Sequence, residues 1–135
     1  MEITYGMIKP DAVAKKYTGD ILRVIEQNGF EIIEMQKLTM SKELAEAFYQ
    51  VHAQRPFFGE LVDFITSGPV VALALRREDA VAQWRKLMGS TNPAQAEEGT
   101  LRRLFAESIG KNAVHGSDSV QNAAVELNLI FPESF

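Results

Sequence analysis

The run Asn112–Ser119 holds the side chains whose types and spacing could carry covalent chemistry. It reads Asn-Ala-Val-His-Gly-Ser-Asp-Ser, and its histidine, His115, is one of only two in the chain. An imidazole ordinarily titrates near neutral pH, so a neutral ring nitrogen is available as a nucleophile that forms a covalent intermediate. The small polar neighbours leave room for a bulky incoming group. The same residues also fit a simple turn before a helix, and spacing alone leaves that alternative open.

The elements that must position this run alternate between strand and helix signals. Residues 3–8 alternate apolar and polar side chains, and residues 30–39 form a mixed strand with one clearly buried face. Residues 70–75 are continuously apolar, as in a central strand buried on both faces, although a buried helical turn would look similar. A fourth strand is expected before the last helix. Helices are predicted where apolar side chains recur at helical spacing: Ile21, Leu22 and Ile25; Leu44, Ala45 and Phe48 after a Ser41 N-cap; Phe58, Leu61, Val62 and Ile65; Val81, Trp84 and Met88 after Glu78 and Asp79; Leu101, Leu104 and Phe105; and Val120, Ala123, Ala124 and Leu127 after Asp118 or Ser119.

This order of elements resembles the split pattern β-α-β-β-α-β. We therefore predict an α+β protein of the ferredoxin-like class: a four-stranded antiparallel sheet whose core is covered by helices on one face. A doubly wound parallel sheet is the alternative, and it would place a glycine-rich phosphate-binding turn after the first strand. Lys9, Pro10 and Asp11 stand there instead, which favours the ferredoxin-like arrangement.

The composition limits the class of protein. A chain of 135 residues is expected to form one domain, residues 1–135, with a proper core. It has no cysteine, which excludes a disulfide framework and a thiol nucleophile and fits a cytoplasmic protein. The N-terminus lacks a basic region followed by an apolar run, so no signal peptide is expected. No apolar stretch approaches the roughly 18 residues that span a bilayer. The net charge of −4 argues against broad binding to nucleic acid or to an anionic membrane.

Several familiar catalytic motifs are absent from the sequence. Residues 110–112 lack the upstream glycine and the hydroxyl of a phosphate loop. No G-x-G-x-x-G turn and no protein-kinase catalytic loop occur. His52 and His115 are far apart and neither belongs to a pair with metal-ligand spacing, so no metal cage is expected and His52 is interpreted as a structural helix residue. If this protein transfers phosphate, either a side chain forms a covalent intermediate with the phosphoryl group or the catalytic arrangement is an unusual one.

Five segments carry a resemblance to a known family: Ile8-Lys9-Pro10-Asp11; Arg55-Pro56-Phe57-Phe58; Ser67-Gly68-Pro69-Val70; Gly89-x-Thr91-Asn92-Pro93 with Gly99-Thr100-x-Arg102; and Asn112-x-x-His115-Gly116-Ser117-Asp118-Ser119. Together they resemble the nucleoside diphosphate kinase family over almost the whole chain. In that family they form, in turn, the first-strand exit, the nucleotide-edge helix, the central-strand entry, the phosphate loop and the active-site signature. Any one could occur by chance, but five in the family's order are highly specific.

The resemblance implies a ping-pong exchange, in which a nucleoside triphosphate gives its γ-phosphate to a histidine and a different nucleoside diphosphate collects it. It implies that Nδ1 of His115 is the nucleophile and that Glu126 accepts a hydrogen bond from the other ring nitrogen, which fixes the tautomer. Ser117 resembles the serine that bonds this glutamate. Without the resemblance, Glu126 would be interpreted as a solvated helix carboxylate and Ser117 as a turn hydroxyl.

Further positions are implied around the phosphates and the base. Phosphoryl transfer passes through a loose transition state, so its catalysis consists mainly of positioning and charge neutralisation. Mg²⁺ is implied as a ligand of the substrate phosphates rather than of a protein cage. Alone, each cation would be a surface charge, and Phe57 would be a core residue. The implied set is Lys9, Arg85 and Arg102 as cations around the phosphates, Thr91 and Asn112 as hydrogen-bonding partners of the phosphates and ribose, Tyr49 near the γ-phosphate and Lys9, and Phe57 stacked on the base.

The resemblance also bears on assembly. It implies a hexamer or a tetramer. Many family members have a longer tail, whereas only four residues follow Phe131 here, so a tetramer or a dimer is also a possible assembly.

Two other functions are alternatives to the nucleotide exchange. A phosphohistidine carrier between proteins would need His115 but would leave Phe57, Arg85 and the phosphate-loop residues without a purpose. A non-catalytic binding module would show a broken signature and a basic face, whereas this signature is unbroken and the chain is acidic.

Overall fold

A four-stranded antiparallel sheet forms the centre of the computed structural model, which describes all residues from Met1 to Phe135. The strands are ordered β2-β3-β1-β4, and each neighbouring pair is antiparallel. The predicted α+β, ferredoxin-like class is confirmed, and the alternative of a parallel doubly wound sheet is wrong. The strands are β1 (Glu2–Ile8), β2 (Glu31–Leu38), β3 (Val70–Arg77) and β4 (Val114–Gly116).

Seven α-helices connect and flank the strands, with 3-10 turns at Gln50–His52 and Pro93–Gln95. No helix in the structure is both long and apolar enough to cross a membrane. The helices are α1 (Pro10–Ala14), α2 (Thr18–Gln27), α3 (Lys42–Phe48), α4 (Phe58–Ile65), α5 (Ala80–Met88), α6 (Leu101–Phe105) and α7 (Val120–Ile130).

Apolar side chains are buried on both faces of the sheet. Because successive strand residues point to opposite faces, β3 supplies two sets of side chains to two separate cores. One core contains α3, α4 and α7, and the other contains α2, α5 and α6. The prediction that helices cover one face is therefore wrong, because a strand apolar on both faces needs helices on both. The two sets are Val70, Ala72 and Ala74, and Val71, Leu73 and Leu75.

The edge strand β2 has the half-buried character that its mixed sequence predicts. It pairs only with β3, and Met35 in its middle is 54% exposed. The central position and full burial of Val70–Leu75 are likewise confirmed, which settles the choice between strand and helical turn.

The start of α5 differs from the prediction. Glu78 and Asp79 lie before the helix, and Asp79 has a left-handed backbone, φ 53°, with no side-chain cap. The carboxylate at this helix N-terminus comes from another element: Glu2 Oε1 accepts a hydrogen bond of 2.8 Å from the Val81 N–H. Because Glu2 lies far away in sequence, no local pattern could predict this cap.

The other predicted caps are confirmed, but two apolar faces differ. The hydroxyls of Ser41 and Ser119 accept hydrogen bonds from the backbone N–H groups three residues on, at 3.1 and 3.0 Å. Leu104 and Val120 are each 54% exposed and Ala124 is also exposed, so these residues do not belong to the buried faces of α6 and α7. The face of α7 that packs on the sheet consists of Ala123, Leu127 and Ile130.

Gly116 in β4 is required by close packing, and this generates a stability prediction. A Cβ at Gly116 would lie 2.5 Å from Cδ1 of Trp84 and 2.7 Å from Cε of Met88, both in the core. We expect Gly116→Ala to lower the free energy of unfolding by about 1–3 kcal/mol, as overpacking does. The measurement is denaturant unfolding followed by the fluorescence of Trp84, the only tryptophan.

Gly59 provides the matched control, because a Cβ there meets nothing within 4 Å. Gly59 lies inside α4, so Gly59→Ala should leave stability unchanged or raise it by up to about 1 kcal/mol. Equal stability of the two variants would contradict the packing described for β4.

Candidate active site

His115 shares a carboxylate oxygen with Ser117. His115 Nε2 lies 3.0 Å from Oε1 of Glu126, and Ser117 Oγ donates a 2.7 Å hydrogen bond to the same oxygen. An ionised carboxylate only accepts hydrogen bonds, so Nε2 carries the hydrogen in the neutral ring. The lone pair of the neutral ring is then on Nδ1, which is a nucleophilic position. The sequence-predicted residues His115, Ser117 and Glu126 therefore lie together.

Short elements place this group. His115 is the middle residue of β4 and pairs with Met7 of β1, while Ser119 caps α7. Glu126 lies about two turns into α7, and this brings its carboxylate back to the strand. Asp118, the alternative N-cap, instead accepts a hydrogen bond from the Asn122 side chain. That bond, with smaller contributions that include the positive charge of Arg85, lowers the pKa of Asp118.

Aromatic residues form the wall around His115, and the sequence did not assign them to the site. The Phe48 ring packs edge-on at 5.1 Å between centroids, and the Tyr5 ring lies at 6.0 Å. The Trp84 indole N–H donates a 3.1 Å hydrogen bond to the His115 carbonyl. Phe48 and Trp84 were predicted only as helix-face residues and Tyr5 only as a strand residue. No sequence signal separates a core aromatic from one that also touches a reactive side chain.

A second group lies between the end of β1 and the loop before β4. Lys9 Nζ donates a 2.9 Å hydrogen bond to Oδ1 of Asn112. Asn112 Nδ2 donates in turn to the backbone carbonyl of Thr91 at 3.4 Å, whereas the Thr91 side chain is exposed. Burial, followed by the positive charge of Arg102, lowers the pKa of Lys9 to about 8, and the Asp11 carboxylate opposes this.

The buried guanidinium of Arg102 joins Gly89, at the end of α5, to β4. Its Nη1 and Nη2 each donate a 3.0 Å hydrogen bond, to the carbonyls of Gly89 and Val114 respectively. Burial and then the charge of Arg85 lower the pKa of Arg102 to about 10, so the two guanidinium groups are close enough to repel each other. The structure thus gathers the predicted cations near one another.

Tyr49 and Phe57 lie at the two ends of a row of rings. Burial, then the negative charge of Glu126, raises the pKa of Tyr49 to about 12, so its hydroxyl stays protonated at neutral pH. The ring of His52 lies 6.3 Å from Tyr49 and 5.6 Å from Phe57. Phe57 is 40% exposed and available to a ligand, while its neighbour Phe58 packs against the core. His52, interpreted from sequence as a structural helix residue, links the two aromatic rings.

Metal ligands are not grouped in the protein. No cluster of three or more His, Cys, Asp and Glu side chains could hold a metal ion. The site instead provides a neutral imidazole that is oriented by a carboxylate and lies close to buried cations. These are the requirements for accepting a phosphoryl group and stabilising its negative charge.

Comparison with known proteins agrees with this geometry. The family model for nucleoside diphosphate kinase matches residues 2–135. The chain is 54% identical to a nucleoside diphosphate kinase of Methylobacterium radiotolerans over 133 residues, which cover 98% of this chain and 95% of the relative. It is 53% identical to one from Phenylobacterium zucineum over 132 residues, with 98% and 95% coverage.

Solved structures give the same result. The nucleoside diphosphate kinase of Aquifex aeolicus superposes with a TM-score of 0.94 at 42% identity, over 96% of this chain and 94% of the other. That of Encephalitozoon cuniculi gives 0.93 at 39% identity, over 97% and 89%. The chain therefore belongs to the nucleoside diphosphate kinase family and is a phosphotransferase that acts on nucleotides.

Proposed function

We propose that His115 carries the phosphoryl group between two nucleotides. Nδ1 attacks the γ-phosphorus of a nucleoside triphosphate, the bond from that phosphorus to the β-γ bridging oxygen breaks, and the diphosphate leaves. A terminal oxygen of a second nucleoside diphosphate then attacks the phosphorus, and the N–P bond breaks to restore the imidazole. The observation that carries the proposal is the 3.0 Å contact from Nε2 to Glu126, which leaves Nδ1 as the free nitrogen.

Glu126 and Ser117 are proposed to orient and stabilise the ring. Attack by Nδ1 places positive charge on the imidazole, and the carboxylate next to Nε2 stabilises that charge, as in other carboxylate–histidine pairs. The 2.7 Å hydrogen bond from Ser117 holds the carboxylate oxygen in place. Because the partners are already aligned, little reorganisation accompanies the transfer.

The cations are proposed to bind the phosphates. Lys9, Arg85 and Arg102 neutralise charge on the transferring group, which is the main task in this reaction. Asn112 is proposed to contact phosphate and ribose while it holds Lys9, at 2.9 Å. Tyr49, protonated at neutral pH because its pKa is about 12, supplies a hydroxyl donor near the γ-phosphate and Lys9.

Thr91 and Phe57 complete the proposed nucleotide site. The exposed Thr91 side chain is free to bond a phosphate, since Asn112 contacts only its backbone carbonyl. The exposed part of the Phe57 ring offers a surface on which a base stacks. Stacking suits any base because every base has a π-face, so an enzyme indifferent to the base is expected.

Members of this family act with a divalent metal ion. We propose that the ion is Mg²⁺ and that it enters with the nucleotide, bound to the phosphate oxygens. Bound there, it supplies additional charge neutralisation. The part of the protein is to hold the phosphates with the cations and hydrogen-bond donors described above.

We further propose a homo-oligomer in the cytoplasm. A tetramer or hexamer is favoured by the family, with a dimer as the smaller alternative; the unpaired outer edge of β2, with its exposed Met35, supports self-association. Light scattering of the purified protein measures the mass of the assembly.

The proposed location in the cytoplasm is supported by the sequence, which has no cysteine and therefore fits a reducing compartment.

A chase experiment tests the central proposal. The protein is incubated with Mg²⁺ and γ-labelled ATP, freed of nucleotide, and then given GDP or dTDP. We expect acid-labile, base-stable label on His115 that moves to the added diphosphate, and neither label nor exchange in His115→Ala. Label that ignores every diphosphate would favour a phosphohistidine carrier between proteins, and turnover retained in His115→Ala would remove His115 as the carrier.

Replacement of Glu126 tests the orienting pair. Glu126→Gln removes the negative charge next to Nε2, so phosphorylation of His115 should slow by about 10-fold or more in single-turnover measurements. Nucleotide affinity should change much less, since Glu126 contacts the ring rather than the nucleotide. Glu60→Gln, on the exposed surface of α4, is the control and should be unaffected. An unchanged rate in Glu126→Gln would refute the orienting role.

The pH dependence of activity tests Lys9. Its ammonium is charged below its pKa of about 8 and loses charge as the pH rises through that value. We therefore expect kcat/KM for the triphosphate to fall above about pH 8. Lys9→Ala should have a lower kcat/KM at pH 7 and lack this decline, while the exposed control Lys42→Ala should match the wild type. A decline that persists in Lys9→Ala would assign it to another group.

A further inference from the structure

Ala113, one residue before β4, has a strained backbone. Its φ is 73°, in the left-handed region that alanine rarely adopts. The Val114 N–H donates a 2.8 Å hydrogen bond to the Asn112 carbonyl, which closes a three-residue γ-turn around Ala113. A strained turn of this kind persists only where the surrounding structure holds it.

The segment that leaves β1 holds this turn by both backbone groups of Ala113. The Lys9 N–H donates a 2.8 Å hydrogen bond to the Ala113 carbonyl. The Ala113 N–H donates a 3.1 Å hydrogen bond to Oδ2 of Asp11. Asp11 is the second residue of α1, directly after Pro10, so a short helix with a restricted start fixes the carboxylate in place.

The turn is connected to the reactive groups on each side. Before it, the Asn112 side chain bonds Lys9 Nζ. After it, the Val114 carbonyl accepts from Arg102, and His115 follows directly in β4. A change in this turn therefore moves Lys9, Arg102 and His115 relative to one another.

Asp11 also acts by charge. The Asp11 carboxylate raises the pKa of Lys9, against burial and the Arg102 guanidinium, which lower it. Asn112, between Lys9 and the turn, is neutral, and the titratable His115 and Glu126 are paired with each other. Oδ1 of Asp11 is buried and has no hydrogen-bond partner in the protein.

We propose that Asp11 is a positioning residue of the phosphoryl-transfer site, which holds the strained turn before His115 by accepting the hydrogen bond from the Ala113 N–H. This inference rests on the proposed function of His115. It assigns Asp11 no contact with the nucleotide.

Three variants separate the two actions of Asp11. Asp11→Asn keeps an oxygen that accepts from the Ala113 N–H but removes the charge, so the high-pH decline in kcat/KM should move down by about half a pH unit or more. Asp11→Ala removes both actions, so kcat at pH 7 should also fall by about 10- to 100-fold. In Asp11→Ala with Ala113→Gly, the glycine adopts positive φ without strain, so most of kcat should return while the decline stays shifted.

Asp20→Asn is the matched control, because Asp20 is an exposed carboxylate in the first turn of α2. It should keep both the wild-type kcat and the wild-type pH profile. A wild-type pH profile in Asp11→Asn would overturn the charge action, even if the thermal stability of the variant falls. A wild-type kcat in Asp11→Ala, or no recovery on addition of Ala113→Gly, would overturn the action on the turn.

Labelling of the wild-type protein, run alongside, keeps the two proposals distinct. If γ-labelled ATP does not label wild-type His115, the proposed function fails. If wild-type His115 is labelled and the Asp11 variants behave as the wild type, only this inference fails. Should Asp11→Ala alone not fold, Asp11→Asn and its pH profile still decide the charge action. Folding should then return in Asp11→Ala combined with Ala113→Gly, and failure of this double variant to fold would overturn the action on the turn.

Discussion

The arrangement of the site depends on two contacts that meet at one carboxylate oxygen, Oε1 of Glu126. It lies 3.0 Å from Nε2 of His115 and accepts from Ser117 at 2.7 Å. Two partners on one oxygen restrain the carboxylate, and the carboxylate decides which nitrogen of the ring carries hydrogen. Because β4 is only three residues long, its orientation relies on neighbours: the Trp84 indole on the His115 carbonyl, the Phe48 ring on the imidazole, and a glycine at position 116 that lets Trp84 approach.

A second constraint is the burial of positive charge in an acidic chain. The net charge is −4, yet two cations of the site are buried. Burial, followed by the positive charge of Arg102, lowers the pKa of Lys9 to about 8, and burial, followed by the positive charge of Arg85, lowers the pKa of Arg102 to about 10. Hydrogen bonds to Asn112 and to two backbone carbonyls offset part of the cost of this burial. A site of this kind favours anionic ligands, because phosphate groups supply the negative charge that the unliganded protein lacks there.

The sheet links the two constraints. β1 lies between β3 and β4, so the strand that ends just before Lys9 also pairs with the strand that carries His115. β3 anchors this arrangement because both of its faces are apolar and each is covered by helices. The helices on one face include α7 with Glu126, and those on the other include α5 and α6 with Arg85 and Arg102. Groups from both layers therefore converge at one edge of the sheet.

The sequence by itself determined the strands, most helices and the ferredoxin-like class, because hydrophobic periodicity and serine caps act over a few residues. It also predicted a set of site residues, since the run around His115 and the four other segments occur in the family's order. Only the tertiary structure decided the Glu2 cap on α5, the helices on both faces, the aromatic wall of Tyr5 and Phe48, and the hydrogen bond that the Ala113 N–H donates to Asp11. Each of these joins residues far apart in sequence, and a contact of that kind is set by how the elements pack rather than by any local pattern.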